Sequence, residues 1–516
     1  MPIAPDLPPP VRRLLLASGV EAEPPLERRI FTNRDLNLDN IPVIGFDMDY
    51  TLAIYDQDAM EALSIACTID KLVARGYPQR LAKLEPKPNF AIRGLLVDKK
   101  LGNVLKQDRH GYVGRAYHGH RALSREKRRA AYRSQRLGRE RARFVPVDTL
   151  FALPEVTIYA NIVELLDRSP DLWSGDRPTY AEAWDDVRAC IDEAHRDGAI
   201  KDRIRARPGA FVRPDPELGP TLHKLRSSGK RLFLLTNSFF PYTDALLSHL
   251  LGGALSAYAT WQSYFDWIVV GAGKPGFFRE AQGFVELDVG GVPTGKTVDV
   301  PRRGRPYQGG NRDGLQAALG VLPDEVLYVG DHIYGDIVQS KKSSGWRTAL
   351  VVQDLEHEVR VRRDYALELS DLEHLHRLRA RLVERLSLLR FAGRTLERFS
   401  ADDLTSVGVV GETAGVMLET SRARLRRRYE RARAYLEQVQ EALDARQAAV
   451  DRAFNPYWGS MFAERHETSW FGAQVEDFAC IYTSRVSNLG YVSPSRYFHA
   501  PRGRLPHFEV RRDSVA

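Results

Sequence analysis

A doubly wound α/β core with a parallel sheet, an inserted cap domain and a helical C-terminal extension is the fold predicted by this 516-residue sequence. Three observations predict it. Short apolar runs recur at Ile41–Phe46, Arg231–Leu235, Trp267–Gly271, Glu325–Val329 and Thr348–Val352, each the length of a strand buried on both faces. Helical patterns such as Glu217–Ser227 and Asp313–Leu319 lie between them, and strands that alternate with helices make a wound parallel sheet. A long stretch without such runs separates the first from the second, which marks an insertion.

In chain order, residues 1–39 read as an N-terminal arm with a proline-rich start, and residues 40–58 as the first part of the core. Residues 59–204 form the inserted, substrate-selecting domain. Within it Tyr180–Gly198 has helical spacing and ends in Asp197-Gly198, a C-cap signal. Residues 205–370 complete the core, with a Gly- and Val-rich β-hairpin excursion at 275–312. Residues 371–516 read as the helical extension, its long charged segments being Leu367–Leu389 and Met417–Phe454. The second segment fits a helical hairpin or coiled coil and a solvated amphipathic helix on the core equally well.

Composition limits the function. A chain 43% apolar and 28% charged is neither disordered nor polytopic, and no apolar run approaches the ~20 residues that cross a bilayer. Three scattered cysteines build neither a disulfide framework nor a zinc site. The expected setting is the cytoplasm, with no membrane partner. A net charge of +8 raises the question of a polyanionic partner. Ten basic and two acidic residues between Arg121 and Arg143 account for that excess by themselves. They read as a solvated loop or as a rim that attracts nucleotide phosphates, and nucleic acid is not expected as a partner.

The chemistry concentrates at strand ends. Asp47-Met-Asp49-Tyr-Thr51 closes the first run, and residues i and i+2 of an extended segment point to one side. Paired carboxylates repel, which splits their pKa values and allows one to act as nucleophile and metal ligand while the other carries a proton. Thr236-Asn237-Ser238 offers hydroxyl and amide donors to phosphoryl oxygens, though a helix N-cap uses the same residues. Lys274, between Gly273 and Pro275, brings a positive charge. Asp331 and Asp336 add two carboxylates at a further strand end. Four converging acids call for a cation, and Mg²⁺, hard and oxygen-ligated, suits them.

With these motifs in order, the chain resembles the haloacid dehalogenase-like (HAD) phosphatases, and most of all their cytosolic purine 5′-nucleotidase branch. The resemblance rests on Phe46–Leu52, Leu235–Ser238 followed by Tyr242-Thr-Asp244, Trp261–Asp266, Tyr328–Ile337 and Ser340–Thr348. It implies that Asp47 attacks phosphorus to form an aspartyl-phosphate and that Asp49 is the general acid and base. It also implies that Asp47, Asp49 through its backbone carbonyl, Asp331 and Asp336 serve a Mg²⁺ site, and that Thr236, Asn237 and Lys274 hold the phosphate. Relatives are homo-oligomers, so the same is expected here. The long acidic tail of vertebrate members is absent.

The insertion must choose the substrate. Arg188, Asp192 and His195 stand at i, i+4 and i+7 on one helical face. They can be a surface ion pair, or a reader of a 6-oxopurine, whose O6 accepts where Arg donates and whose N1–H donates where a carboxylate accepts. The resemblance extends to this stretch and carries Arg188, Asp192 and Lys201 over as nucleotide-binding residues, with His195 flanking the base. Tyr117, His118 and His120 are further candidates for the base face. The expected activity is a Mg²⁺-dependent 5′-nucleotidase for purine nucleoside monophosphates, IMP and GMP first, with nucleoside phosphotransfer open to the same intermediate. Alternatives are a HAD phosphatase for another metabolite and an RNA-binding protein on a phosphatase-like core.

Overall fold

The computed structural model describes residues 8, 10–11, 24–84, 87–133, 142–173, 177–333, 336, 344–409 and 412–501. Most of the proline-rich start lies outside them, as do Arg136, Arg139 and Arg141 of the basic run and residues 340–343 of the last quoted motif. Two compact units emerge, one of Met1–Val359 with Thr468–Ala516 and one of Arg360–Glu467.

A ten-stranded sheet organises the first unit. Its strands are β1 (Phe31–Thr32), β2 (Val43–Phe46), β3 (Arg231–Leu235), β4 (Trp267–Val270), β5 (Phe284–Leu287), β6 (Pro293–Val298), β7 (Pro306–Gly309), β8 (Val326–Gly330), β9 (Arg347–Val351) and β10 (Ile481–Thr483). They lie in the order β1-β10-β9-β8-β2-β3-β4-β7-β5-β6. From β10 across to β7 every pairing is parallel, and the outer pairs are antiparallel.

All four residues of β2 are buried, as befits a central strand covered on both faces. At Gly45 a Cβ would fall 2.0 Å from the Phe233 ring, so only glycine lets β3 set that ring over the neighbouring backbone. Strand order reverses about β2, with β3 on one side and β8 on the other, which makes the C-terminal ends of these strands a topological switch point.

Between β2 and β3 the chain builds a five-stranded antiparallel sheet and three long helices. The strands are Leu95–Asp98, Asn103–Gln107, Val113–His118, Arg121–Ala122 and Phe144–Val147. The helices are α1 (Gln57–Ala74), α2 (Leu153–Arg168) and α3 (Tyr180–Arg196). Asp56 caps α1 by accepting from Ala59 N–H at 3.1 Å, and Thr179 with Glu182 forms a capping box on α3. Both α1 and α2 pack against α3. Two cations of the basic run do structural work here. Arg128 is buried, and Arg143 donates twice to the buried Asp98, at 2.8 Å each.

The excursion at 275–312 adds β5 and β6 to the sheet edge as an antiparallel pair, and Pro306–Gly309 joins as one more parallel strand. A larger departure from the sequence reading is the end of the chain. Instead of continuing a helical extension to residue 516, it returns to the sheet, where Ile481 and Tyr482 pair with Ala349 and Leu350 of β9. Three residues of strand are too short to announce themselves in a sequence pattern.

The second unit is a helical hairpin of α4 (Ala366–Glu397) and α5 (Glu412–Phe454). Leu372 and Leu382 of α4 meet Val439, Leu443 and Val450 of α5 in its core. Among the described residues no helix is long and apolar enough to cross a membrane, and none of the three cysteines forms a disulfide.

Candidate active site

The C-terminal ends of β2, β3 and β8 open on a cavity of about 350 Å³. Its floor holds Asp47, Asp49, Lys274, Asp331 and Asp336, and its opposite wall holds Phe151, Glu155, Arg188, Asp192, His195 and Lys201 from the inserted domain.

Asp47 continues β2 by donating its N–H to Val329 O at 2.9 Å. Tyr50 then takes φ +54°, a left-handed conformation uncommon for a bulky residue, and reverses the chain directly after Asp49. The two carboxylates share the cavity but serve different partners. Asp49 accepts from Tyr55 OH at 2.5 Å on one oxygen and from Ser238 Oγ at 2.7 Å on the other. Tyr55 in turn lies 2.9 Å from Tyr242 OH. Both of Asp49's neighbours are hydroxyls, which can donate or accept, so the carboxyl can hold or release a proton without losing either contact.

Asp47 faces Lys274, whose Nζ lies 3.0 Å from Asp47 Oδ1, 2.7 Å from Asp336 Oδ1 and 2.9 Å from Tyr328 OH. An ammonium has three donors, and all three are engaged. Asn237 clamps the lysine loop by accepting from Lys274 N–H at 2.6 Å and donating to Lys274 O at 3.0 Å. Asp336 is held close to its strand, accepting from His332 N–H at 3.2 Å. A Cβ on Gly330 would come within 2.6 Å of that carboxylate, so glycine is required for the approach.

Asp47, Asp331 and Asp336 present carboxylate oxygens that all lie within 4.8 Å of one another. One lysine cannot balance three buried acids. Burial, with Asp336 and Asp49 nearby, pushes Asp47 up to about 8 in spite of Lys274. Burial, with Asp336 and Asp47 nearby, holds Asp331 well above the usual carboxylate range. Asp331 Oδ2 is buried and meets no donor among the described residues. An all-oxygen, acid-rich set with an orphaned lone pair fits a hard divalent cation such as Mg²⁺. The Asp49 carboxylate stands outside this cluster.

On the opposite wall, Arg188 Nη1 donates to both oxygens of Glu155, at 2.9 and 3.0 Å, and its Nε lies 3.5 Å from Asp192 Oδ2. Burial raises Glu155 to about 7 against the pull of Arg188. His195 meets the Phe151 ring edge-on with centroids 5.8 Å apart. Burial and then Lys201 lower its pKa to about 4, so the imidazole is neutral. Lys201 Nζ sits 5.3 Å over the Tyr242 ring. Phe151 also packs edge-on against Tyr50, at 4.6 Å, and so ties the inserted wall to the turn that carries Asp49.

The sequence-predicted residues therefore converge, with exceptions. Thr236 is fully buried and does not line the cavity; its hydroxyl accepts from Ser238 N–H at 3.1 Å, as a turn-capping residue does. Tyr117, His118 and His120 are also elsewhere. His118 bonds Asn103 and Asp167, at 2.8 and 2.7 Å. His120 bonds Asn161 at 2.9 Å and packs on Phe90, and Tyr117 meets Phe90 edge-on. The aromatic on the cavity wall is Phe151. Sequence reasoning also missed Glu155 and Tyr55. A lone acid inside the apolar Leu153–Leu166 stretch was the available signal for the first.

A doubly wound sheet that gathers an Asp-x-Asp turn, a buried lysine and a second acidic pair at its switch point is the framework of a phosphoric monoester hydrolase. The chain belongs to the 5′ nucleotidase family, whose profile matches residues 30–510. It is 28% identical over 491 residues to a 5′-nucleotidase domain-containing protein of Dictyostelium discoideum, covering 93% of this chain and 74% of that one. It is 29% identical over 350 residues to human 5′-nucleotidase domain-containing protein 2, covering 64% of each. A solved HAD phosphatase from Thermococcus onnurineus overlaps at 16% identity, covering 61% of this chain and 87% of that one, with a TM-score of 0.24.

Proposed function

We propose that this enzyme hydrolyses 6-oxopurine nucleoside 5′-monophosphates with Mg²⁺, through a phosphorylated Asp47. The observation that carries the reading is the division of labour between the two carboxylates. Asp47 belongs to the carboxylate cluster and faces the lysine, whereas Asp49 is set apart on a hydroxyl network. In this reading Asp47 Oδ bonds to phosphorus as the P–O5′ bond breaks, and Asp49 gives its proton to the departing 5′ oxygen. Asp49 then takes a proton from water as that water attacks the aspartyl-phosphate, which frees Asp47 and inorganic phosphate. A nucleoside hydroxyl in place of water would give phosphotransfer.

Mg²⁺ would be held by Asp47, Asp331 and Asp336 with the Asp49 carbonyl, and when bound it neutralises charge on the acids and the phosphoryl group. Lys274 supplies fixed positive charge, releasing Asp47 as the phosphate arrives. Asn237 lines the phosphate side while holding the lysine loop in place, and Thr236 shapes the turn behind it. On the other wall Arg188 would donate to O6, and Asp192 or Glu155 would accept from N1–H and, in guanine, from the exocyclic amine. Phe151 and the neutral His195 would flank the base, with Lys201 on the phosphate side. Adenine reverses donor and acceptor at both positions, leaving buried polar groups unpaired.

The test is phosphate release from IMP, GMP, AMP and UMP with Mg²⁺ and with EDTA. IMP and GMP should be hydrolysed only with Mg²⁺, and Asp47→Asn should be inactive. Equal or better use of AMP would remove the base reading, and metal-independent release would remove the mechanism.

A further inference from the structure

The helical hairpin carries a charge that the catalytic unit does not use. Contacts of Arg390 with Tyr429 and of Arg422 with Leu396 set its register, so residues 385–398, α4 with its C-cap, lie beside 420–433 of α5. This band is about 20 Å long at 1.5 Å per residue. It holds eleven arginines, three on α4, one at its C-cap and seven on α5, against two acids, Glu397 and Glu430. Eleven minus two is +9, more than the +8 of the whole chain.

Most of that charge is unneutralised. Arg390 donates to Tyr429 OH, Arg422 bonds Glu419 and the end of α4, and Arg433 reaches Glu437. Arg385 and Arg394 of α4 and Arg398 at its C-cap are exposed and form no ion pair among the described residues. The same holds on α5 for Arg424, Arg426, Arg427, Arg428 and Arg431. A helix stabilised by its own charges would pair them at i, i+4. Here the cations crowd together at a repulsive cost. Phe391, 71% exposed, and Leu388, 63% exposed, stand among them.

We infer that this band binds a polynucleotide through its phosphate backbone. A rod with closely spaced, delocalised cations on both helices matches a linear array of phosphates, and an exposed aromatic among arginines offers a face on which a base can stack. Acids cluster beyond the band, at Asp402, Asp403 and Glu419 toward the tip and at Asp371 and Glu373 toward the base. An acidic tip opposes end-on insertion into an anionic membrane. A second copy aligned band to band would meet like charge.

The test uses the full-length protein and fluorescence anisotropy with a 20-nucleotide single-stranded RNA and with a 20-base-pair DNA duplex. Binding should be detected at 50 mM salt and weaken about 100-fold by 200 mM, as about four phosphate contacts require. Preference between the probes tells which polynucleotide is the partner. Replacing Arg424, Arg427, Arg428 and Arg431 with Gln removes exposed, unpaired side chains. It should weaken binding at least tenfold and lower the log–log salt slope by about 3, leaving phosphatase activity unchanged. Replacing Arg121, Arg125, Arg129 and Arg133 with Gln should leave binding as it was. The inference is overturned if neither probe binds at 50 mM salt, or if the hairpin variant binds like the parent. It is equally overturned if only phosphatidylserine vesicles bind, or if the band instead drives self-association.

Discussion

The buried acids set up a pH dependence that can be worked out for Asp47→Asn. The folded protein holds Asp47 at about 8 against an ordinary 3.8. Above pH ~4 the unfolded chain has released this proton and the metal-free folded chain has not. Folding then takes up a proton, and stability falls as pH rises, by about 1.4 kcal/mol per unit, until pH passes ~8. At pH 7 the accumulated loss is about 4 kcal/mol. Asn resembles the protonated acid and titrates in neither state, so Asp47→Asn removes that loss. With EDTA, the variant should match wild type near pH 4.5 and melt several degrees above it at pH 7.5. Mg²⁺ should reverse the order by stabilising wild type more, because it binds the ionised carboxylates. Chemical or thermal melts at both pH values, with EDTA and with Mg²⁺, measure this directly. Parallel stability of the two proteins across the pH range would refute the assignment of a destabilised, cation-requiring acid cluster.

Three further outcomes follow from the geometry. Tyr55→Phe removes one of the two hydroxyls on Asp49 and leaves the cavity walls in place, so kcat for IMP should fall about 10- to 100-fold with KM little changed. Glu155, held near 7 by burial, is protonated below that pH and ionised above it; KM for GMP should therefore vary between pH 6 and 8 in wild type and be flat in Glu155→Gln, as initial rates across that range would reveal. Gly330→Ala forces the Asp336 carboxylate away, and should weaken Mg²⁺ activation at least tenfold in a metal titration while IMP binding to the metal-free protein is kept.

The core was legible because its strands are buried on both faces and end in chemistry. The apolar runs containing β2, β3, β4, β8 and β9 agree with the observed strands to within a residue or two, and Asp47, Lys274 and Asp331 follow their ends. The reading failed where a side chain's role is set by tertiary neighbours. His118 and His120 looked like ligand residues and instead complete polar contacts within the inserted domain. Glu155 hid in an apolar helix, and its partner Arg188 is 33 positions away. Thr236 follows its strand as the motif requires, yet its hydroxyl turns inward. The net charge points to residues 121–143, part of which is buried or paired, while the band with unpaired arginines belongs to helices whose sequence shows a hairpin or an amphipathic pattern and nothing of their charge balance.

The late return of β10 bears on how the polypeptide is made. A ribosome delivers β2, β3, β4, β7, β8 and β9 first, then the entire hairpin, and only afterwards the strand that pairs with β9. Until then β9 presents an unsatisfied edge of N–H and C=O groups, the kind that recruits foreign strands. The nascent protein must therefore survive the synthesis of more than a hundred residues with its sheet open. Shortening the chain before Ile481 would make that transient vulnerability permanent.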